Sequence, residues 1–250
     1  MDSTERRFER RTIIVTGAGS GIGRATVERV ASEGGTVVAV DISADRLDAV
    51  KAEFGDAVTC VAGDLALSAT SDAAIAAAGE RVDGLANVAG IMDGFLPTAE
   101  LTDDVWDRVL AVNLTATMRL TRAVLPGMIA RGAGSIVNVS SEAGQRASAA
   151  GTAYTTSKHA VNGFTLSTAF FYTPKGVRCN AVSPGPVATN IEAPFRSEWA
   201  QQRLGPFLQT NVPAVARPEQ VAAAIAWLLS DDASDVSGAI LPVDGGWAAV

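Results

Sequence analysis

Apolar residues in this chain come in short β-branched runs, separated by longer stretches in which they recur every three or four positions. The runs are TIIVTG, TVVAVD, AVTCVAGD, GLANVAG, GSIVNVSS, GVRCNAVSPG and GAILPVDGG, seven candidate strands. Each is continuously apolar rather than alternating, as expected of strands buried on both faces of a parallel sheet. Helical stretches fall between them at about 21–33, 44–54, 69–79, 103–131, 153–173 and 218–230. Thr102 before Asp103 and Asp104, and Pro218 before Glu219, are start signals for two of these helices. The alternation predicts an α/β fold, a Rossmann-like, doubly wound, seven-stranded parallel sheet. No repeat, low-complexity tract or linker interrupts it, so residues 1–250 are predicted to form a single domain. The segment 190–216 breaks the alternation: Pro194, Pro206 and Pro213 lie among Phe195, Trp199, Leu204, Phe207 and Leu208. Such a stretch is either a substrate loop or lid, or a structural insertion.

Composition adds limits. With 48% apolar and 19% charged residues the chain can bury a sizeable core. A net charge of -7 argues against a nucleic-acid partner, which needs a concentrated basic surface. The one basic cluster, Arg6, Arg7, Arg10 and Arg11, is interrupted by Glu5, Phe8 and Glu9 and reads as a solvated lead-in rather than a transit peptide. No stretch approaches the roughly 18 apolar residues of a membrane span. A cytoplasmic protein without a membrane anchor is expected. Cys60 and Cys179 are too few for a disulfide framework or a zinc site, and both fall in strand-like runs as small buried residues; no metal is expected.

TGAGSGIG, Thr16 to Gly23, follows the first strand and opens the first helix. Gly17 and Gly21 permit a tight turn, Gly23 close packing of helix on strand, and the helix N-terminus offers free amides and a positive dipole end to a pyrophosphate. The glycines alone would also suit an ordinary turn. Asp41, at the end of the second strand and 18 residues after Gly23, adds the context of a dinucleotide site. Its carboxylate can accept from both ribose hydroxyls and repels a 2'-phosphate, which favours NAD over NADP. No arginine follows it until Arg46, and Ser20 stands where a basic residue could hold a phosphate.

The second candidate site is AYTTSKHAV, residues 153–161, which holds one of two tyrosines and the only histidine. A helix turns about 100° per residue, so Tyr154 and Lys158 share a face while His159 lies about 140° away. A free phenol titrates near pH 10 and works as a base at neutral pH only if a neighbouring cation stabilises the phenolate. Ser140 and Ser141 end the fifth strand at the sheet edge where open α/β folds bind ligands. Asn113 sits on the apolar stripe of its helix, as a packing polar group or as part of a proton relay.

Taken in order, TGxxxGIG at 16–23, GD at 63–64, NVAG at 87–90, Asn113, NVSS at 138–141, YxxxK at 154–158 and NAVSPG at 180–185 resemble the short-chain dehydrogenase/reductase family, in its classical branch, along nearly the whole chain. The resemblance implies that Tyr154 is the catalytic acid/base, Lys158 its pKa-lowering and ribose-holding partner, Ser141 the substrate-oxygen ligand, and Asn113 the support of a water relay. For the cofactor it implies Gly17, Ser20, Gly21, Ile22 and Gly23 at the phosphates and Asp41 with Ile42 at the adenosine ribose. Asp64 and Leu65 then lie at the adenine, Asn87, Ala89 and Gly90 beside the ribose, and Pro184, Gly185, Val187 and Thr189 at the nicotinamide. Val88 departs from the family by replacing a second asparagine. The implied activity is NAD-dependent interconversion of a secondary alcohol and a ketone in a homodimer or homotetramer. Reduction of a carrier-bound 3-oxoacyl group, docked by Arg131 and Lys175, is the alternative, and an idle NAD-binding protein a more distant one. Met92, Phe95, Gln145, Arg146 and the 190–213 loop are expected to line an apolar substrate pocket. Phe170 and Phe171 are expected either in the core or in a subunit contact.

Overall fold

Seven strands, Thr12–Thr16 (β1), Thr36–Asp41 (β2), Val58–Ala62 (β3), Gly84–Asn87 (β4), Gly134–Val139 (β5), Val177–Pro184 (β6) and Ile240–Val243 (β7), form one sheet ordered β3-β2-β1-β4-β5-β6-β7. Every pairing is parallel. The structure is a computed structural model and describes residues 6–191 and 193–249; Glu5 of the lead-in and Glu192 of the 190–216 segment lie outside the described residues. The helices are Gly21–Ser32 (α1), Ala44–Phe54 (α2), Ser68–Ala78 (α3), Asp103–Leu110 (α4), Ala116–Arg131 (α5), Thr152–Tyr172 (α6), Glu198–Asn211 (α7) and Pro218–Leu229 (α8).

The continuous apolar runs of the inner strands are explained by burial on both sides, whereas the edge strands β3 and β7 are partly exposed. Ile13 and Val15 of β1 pack with Val27 and Val30 of α1, Leu47 of α2 and Ile225 of α8, whereas Ile14 joins Ala74 of α3, Leu120 and Val124 of α5 and Ala169 of α6. Truncating one of these fully buried side chains, such as Leu120→Ala, costs about 2–5 kcal/mol. The strand order reverses between β1 and β4, so the loops after these strands diverge and open a crevice at their C-terminal ends.

The expected helix 103–131 is three pieces: α4 and α5 are joined by a π-helical stretch, Ala111–Thr115. One extra residue per turn there changes the facing of Asn113 without ending the helix. Inside 190–216 the structure has a 14-residue helix, α7, which the prolines concealed. Ser197 caps it by accepting from the Ala200 N–H at 3.0 Å, and Pro206 lies within it. The lead-in is also more than solvated: Phe8 is fully buried, Arg7 forks onto Glu33 at 2.6 and 2.8 Å, and Arg11 pairs with Asp231. Cys179 is buried as expected, but Cys60 is half-buried because β3 is an edge strand. Among the described residues no helix is long and apolar enough to cross a membrane.

Candidate active site

At the C-terminal ends of β1, β2 and β4 lies a cleft of about 490 Å³. Gly17, Ser20, Gly21, Ile22 and Gly23 line one wall, Asp41 and Ile42 with Asp64 and Leu65 a second, and Ala89, Gly90 and Thr189 a third. The local backbone suits a large anion. Gly21 has φ +51°, and a Cβ on Gly23 would lie 2.0 Å from the Gly17 carbonyl oxygen, so neither position accepts a side chain without rearrangement. Ser20 makes no side-chain cap on α1 and no acidic residue stands in the first turn, which leaves the helix amides and dipole end available.

Asp41 is buried and oriented by the Gly19 and Ser43 N–H groups at 3.0 and 2.9 Å. Arg46, five residues on in sequence, returns from the first turn of α2 to donate to the same carboxylate at 2.9 Å and lines the cleft beside it. Asp64 accepts from Arg108 of α4 at 2.7 Å, and this bond holds its carboxyl below the ordinary range. Arg108 lines the cleft too. Its position gave no cue in the sequence, because only the approach of α4 to the β3 end brings it there.

The chemical end combines three elements. Tyr154, in the first turn of α6, is 9% exposed and packs with Ala143, Ala150 and the half-buried Met92. Lys158 is one turn on, its Nζ 5.4 Å from the Tyr154 ring centre and donating to the Val139 carbonyl at 2.8 Å. Burial pushes the Tyr154 phenol up to about 12, countered by the neighbouring Ser141 hydroxyl and reinforced by the charge of Asp93. Burial also pulls Lys158 down to about 8. Of the two serines ending β5, Ser140 is buried with its hydroxyl donating to the Lys158 carbonyl, while Ser141 is half-buried on the tyrosine side. Asn113 is 1% exposed; it accepts from the Ile91 N–H at 2.9 Å and donates to the Ile91 carbonyl and the Ser157 hydroxyl. A Cβ on Gly90 would lie 3.4 Å from both Asn113 Oδ1 and Lys158 Nζ, so these two groups converge on one point of the β4 loop.

The other residues singled out in the sequence have the following surroundings. His159 is exposed, its Nδ1 2.9 Å from the Thr155 carbonyl oxygen, on the face that helical geometry assigned. The Asn87 side chain turns away from the cleft and donates to Asn138 at 2.8 Å, joining β4 to β5. Pro184 and Gly185 lie at the end of β6, and Val187 bridges to Ala216 through the backbone and packs against the core. Arg146 leaves the apolar pocket altogether: it pairs with Glu142 and donates to the Trp247 carbonyl at 2.7 Å. Gln145 is exposed beside it. Phe95 stacks on Phe195 with ring centres 4.3 Å apart, which ties the β4 loop to the α7 segment. Val88, in place of the family's second asparagine, keeps its backbone amide bonded to the Thr16 hydroxyl at 2.9 Å.

A nucleotide cradle beside a buried tyrosine and lysine on one helix defines a class of oxidoreductase that works with a nicotinamide cofactor. Residues 11–200 match the family described as short chain dehydrogenase, and the chain belongs to the short-chain dehydrogenase/reductase family. It is 41% identical to the short-chain dehydrogenase/reductase cdmF of Talaromyces verruculosus, over 95% of this chain and 97% of that one. It is 39% identical to 3beta-hydroxysteroid dehydrogenase 2 of Eggerthella lenta, over 95% of each. Among solved structures, levodione reductase superposes with a TM-score of 0.88 at 34% identity, covering 97% of this chain and 99% of that one. A putative NAD(P)-dependent gluconate 5-dehydrogenase from Beutenbergia cavernae with bound NADP gives 0.86 at 36%, covering 97% and 98%. A 3-ketoacyl-(acyl-carrier-protein) reductase from Brucella melitensis complexed with NADH gives 0.86 at 30%, covering 96% and 99%.

Proposed function

We propose that this oxidoreductase interconverts a secondary alcohol and its ketone with NAD, using Tyr154 as the acid/base. The observation that carries the reading is the buried Tyr154 with Ser141 beside it and Lys158 above its ring. In alcohol oxidation Tyr154 takes the hydroxyl proton, Ser141 orients the substrate oxygen and stabilises charge developing on it, and Lys158 with Asn113 passes the proton outwards. A bound nicotinamide would supply the hydride acceptor, and the 17–23 loop, Asp41, the Asp64 and Leu65 pair, and Thr189 of the 184–189 turn would hold the cofactor.

Asp41 supports NAD over NADP, since Arg46 is already engaged by its carboxylate and a 2'-phosphate would meet that negative charge first. An apolar, cyclic alcohol or ketone is favoured as substrate because Met92 packs with Tyr154 and Phe95 stacks on Phe195 nearby. The kinship with a hydroxysteroid dehydrogenase and with levodione reductase agrees with that class. A carrier-bound acyl substrate is disfavoured, because Arg131 points its guanidinium at the Val82 carbonyl and the chain is acidic. Phe170 and Phe171, 76% and 62% exposed, are outside the core and support a homodimer or homotetramer joined through α6. Nicotinamide absorbance, followed with NAD and with NADP against cyclic alcohols, sugars, steroids and acyl thioesters, tests the reading. Turnover of cyclic alcohols with NAD is expected; faster turnover of thioesters, or preference for NADP, would contradict it.

A further inference from the structure

The N-cap of helix α6 is Gly151, which has no side chain with which to cap it, and the helix has no acidic residue in its first turn. Its first turn nonetheless carries Tyr154. The missing acceptor arrives from another part of the chain: Asp93, 1% exposed, accepts from the Tyr154 N–H through Oδ2 at 2.9 Å. Tyr154 is the third residue of α6, the position at which an N-cap side chain normally receives its bond. The other oxygen, Oδ1, accepts from the Phe95 N–H at 3.0 Å and holds that residue at φ +58°, a left-handed conformation uncommon for an aromatic residue. Phe95 in this conformation stacks on Phe195, and the Gly94 carbonyl accepts from the Arg196 N–H at 3.0 Å. Gly151 is glycine for a reason visible in the same contact, since a Cβ there would stand 2.5 and 2.6 Å from the Asp93 oxygens.

We infer that Asp93 is a positioning residue for this reaction: one carboxylate fixes the backbone of Tyr154 and the Phe95 turn against which the α7 segment packs. The inference rests on the reading of Tyr154 as the acid/base. An ordinary structural carboxylate would affect folding alone, whereas Asp93 also acts electrostatically on the phenol. Its charge raises the Tyr154 pKa, Ser141 opposes it, and the remaining charged group at the ring is Lys158 on the same helix. Arg196 is packed on the turn through its aliphatic stem. Contacts made at Phe195 therefore reach the catalytic tyrosine through two hydrogen bonds to one side chain.

The test uses the full chain with Asp93→Asn, Asp93→Ala and Gly151→Ala. Asn retains an acceptor oxygen for one of the two amides, Ala retains neither, and Gly151→Ala displaces the carboxylate while keeping its charge. For variants that unfold cooperatively and bind NAD within about twofold of wild type, kcat is expected to fall at least tenfold in Asp93→Ala and Gly151→Ala, with Asp93→Asn intermediate. Only two tyrosines exist, so labelling with 13C at the phenolic carbon resolves Tyr154 from Tyr172. The Tyr154 titration should move to lower pH in both Asp93 variants and not in Gly151→Ala, with Tyr172 unmoved throughout. Folded variants with wild-type kcat, or an unshifted Tyr154 titration in Asp93→Asn and Asp93→Ala, would overturn the inference alone. A wild-type protein inactive towards every alcohol and ketone would overturn the acid/base reading and the inference with it.

Discussion

On the proposed reading, Tyr154 is a proton donor before it is a base. With its pKa pushed up to about 12 by burial, the phenol is protonated through neutral pH, ready for carbonyl reduction, while oxidation needs the phenolate. The two directions should therefore respond to pH with opposite character. Reduction should stay level from pH 6 to about 8. Oxidation should climb with pH over the same range, as the small phenolate fraction of Tyr154 grows. Initial rates in both directions across that range check this; an oxidation rate that declines from pH 6 to 8 would oppose it. At the other end of the cleft, Asp41→Ala frees Arg46 and removes a buried negative charge. The ratio of kcat/KM for NAD to that for NADP should fall at least tenfold, and an unchanged ratio would remove Asp41 from the discrimination.

Helices and strands differ in how much of them can be read from the chain. The five inner strands were legible because burial on both faces leaves a run with almost no polar alternate, the edge strands β3 and β7 were legible from their β-branched and aliphatic runs alone, and α6 placed Tyr154 and Lys158 together by arithmetic alone. The α7 segment was not legible. Ser197 and Glu198 are a valid start signal, but Pro194, Pro206 and Pro213 obscured it, and only Ala200 is buried within the helix, so it has almost no apolar face to announce it. Arg108 and Asp93 were illegible for a different reason, since each acts on a residue far away in sequence and has no local signature. The weak seating of α7 has a consequence that can be measured. Ser197 both caps the helix and donates to Glu100 at 3.0 Å. Ser197→Ala should cost about 1 kcal/mol of local stability, seen as faster amide exchange confined to α7. The KM for the alcohol should rise several-fold while that for NAD is unchanged. Equal changes in both constants would show that α7 does not belong to the substrate side.

Across the whole molecule, the sheet separates two tasks. On the proposed reading, the ends of β1 to β3 present the nucleotide cradle and its acidic anchors, and the end of β5 and the first turns of α6, which packs on β6, present the proton-transfer groups. The opposite flank of α6 ends in the exposed pair Phe170 and Phe171, with Leu166 49% exposed one turn before. That helix therefore joins the active site to the surface proposed for self-association. Phe170→Ser combined with Phe171→Ser should shift the sedimentation of the protein to a smaller species, and unchanged sedimentation would assign another surface to assembly. The proposed reaction stands on the identity of the proton-transfer group. Its most direct test compares Tyr154→Phe with His159→Gln in NAD-linked alcohol oxidation, with folding verified by near-ultraviolet circular dichroism. Tyr154→Phe should lower kcat by at least about 10²-fold and His159→Gln should leave it within about twofold of wild type. Comparable losses in the two variants, or a Tyr154→Phe protein that keeps its turnover, would contradict the account.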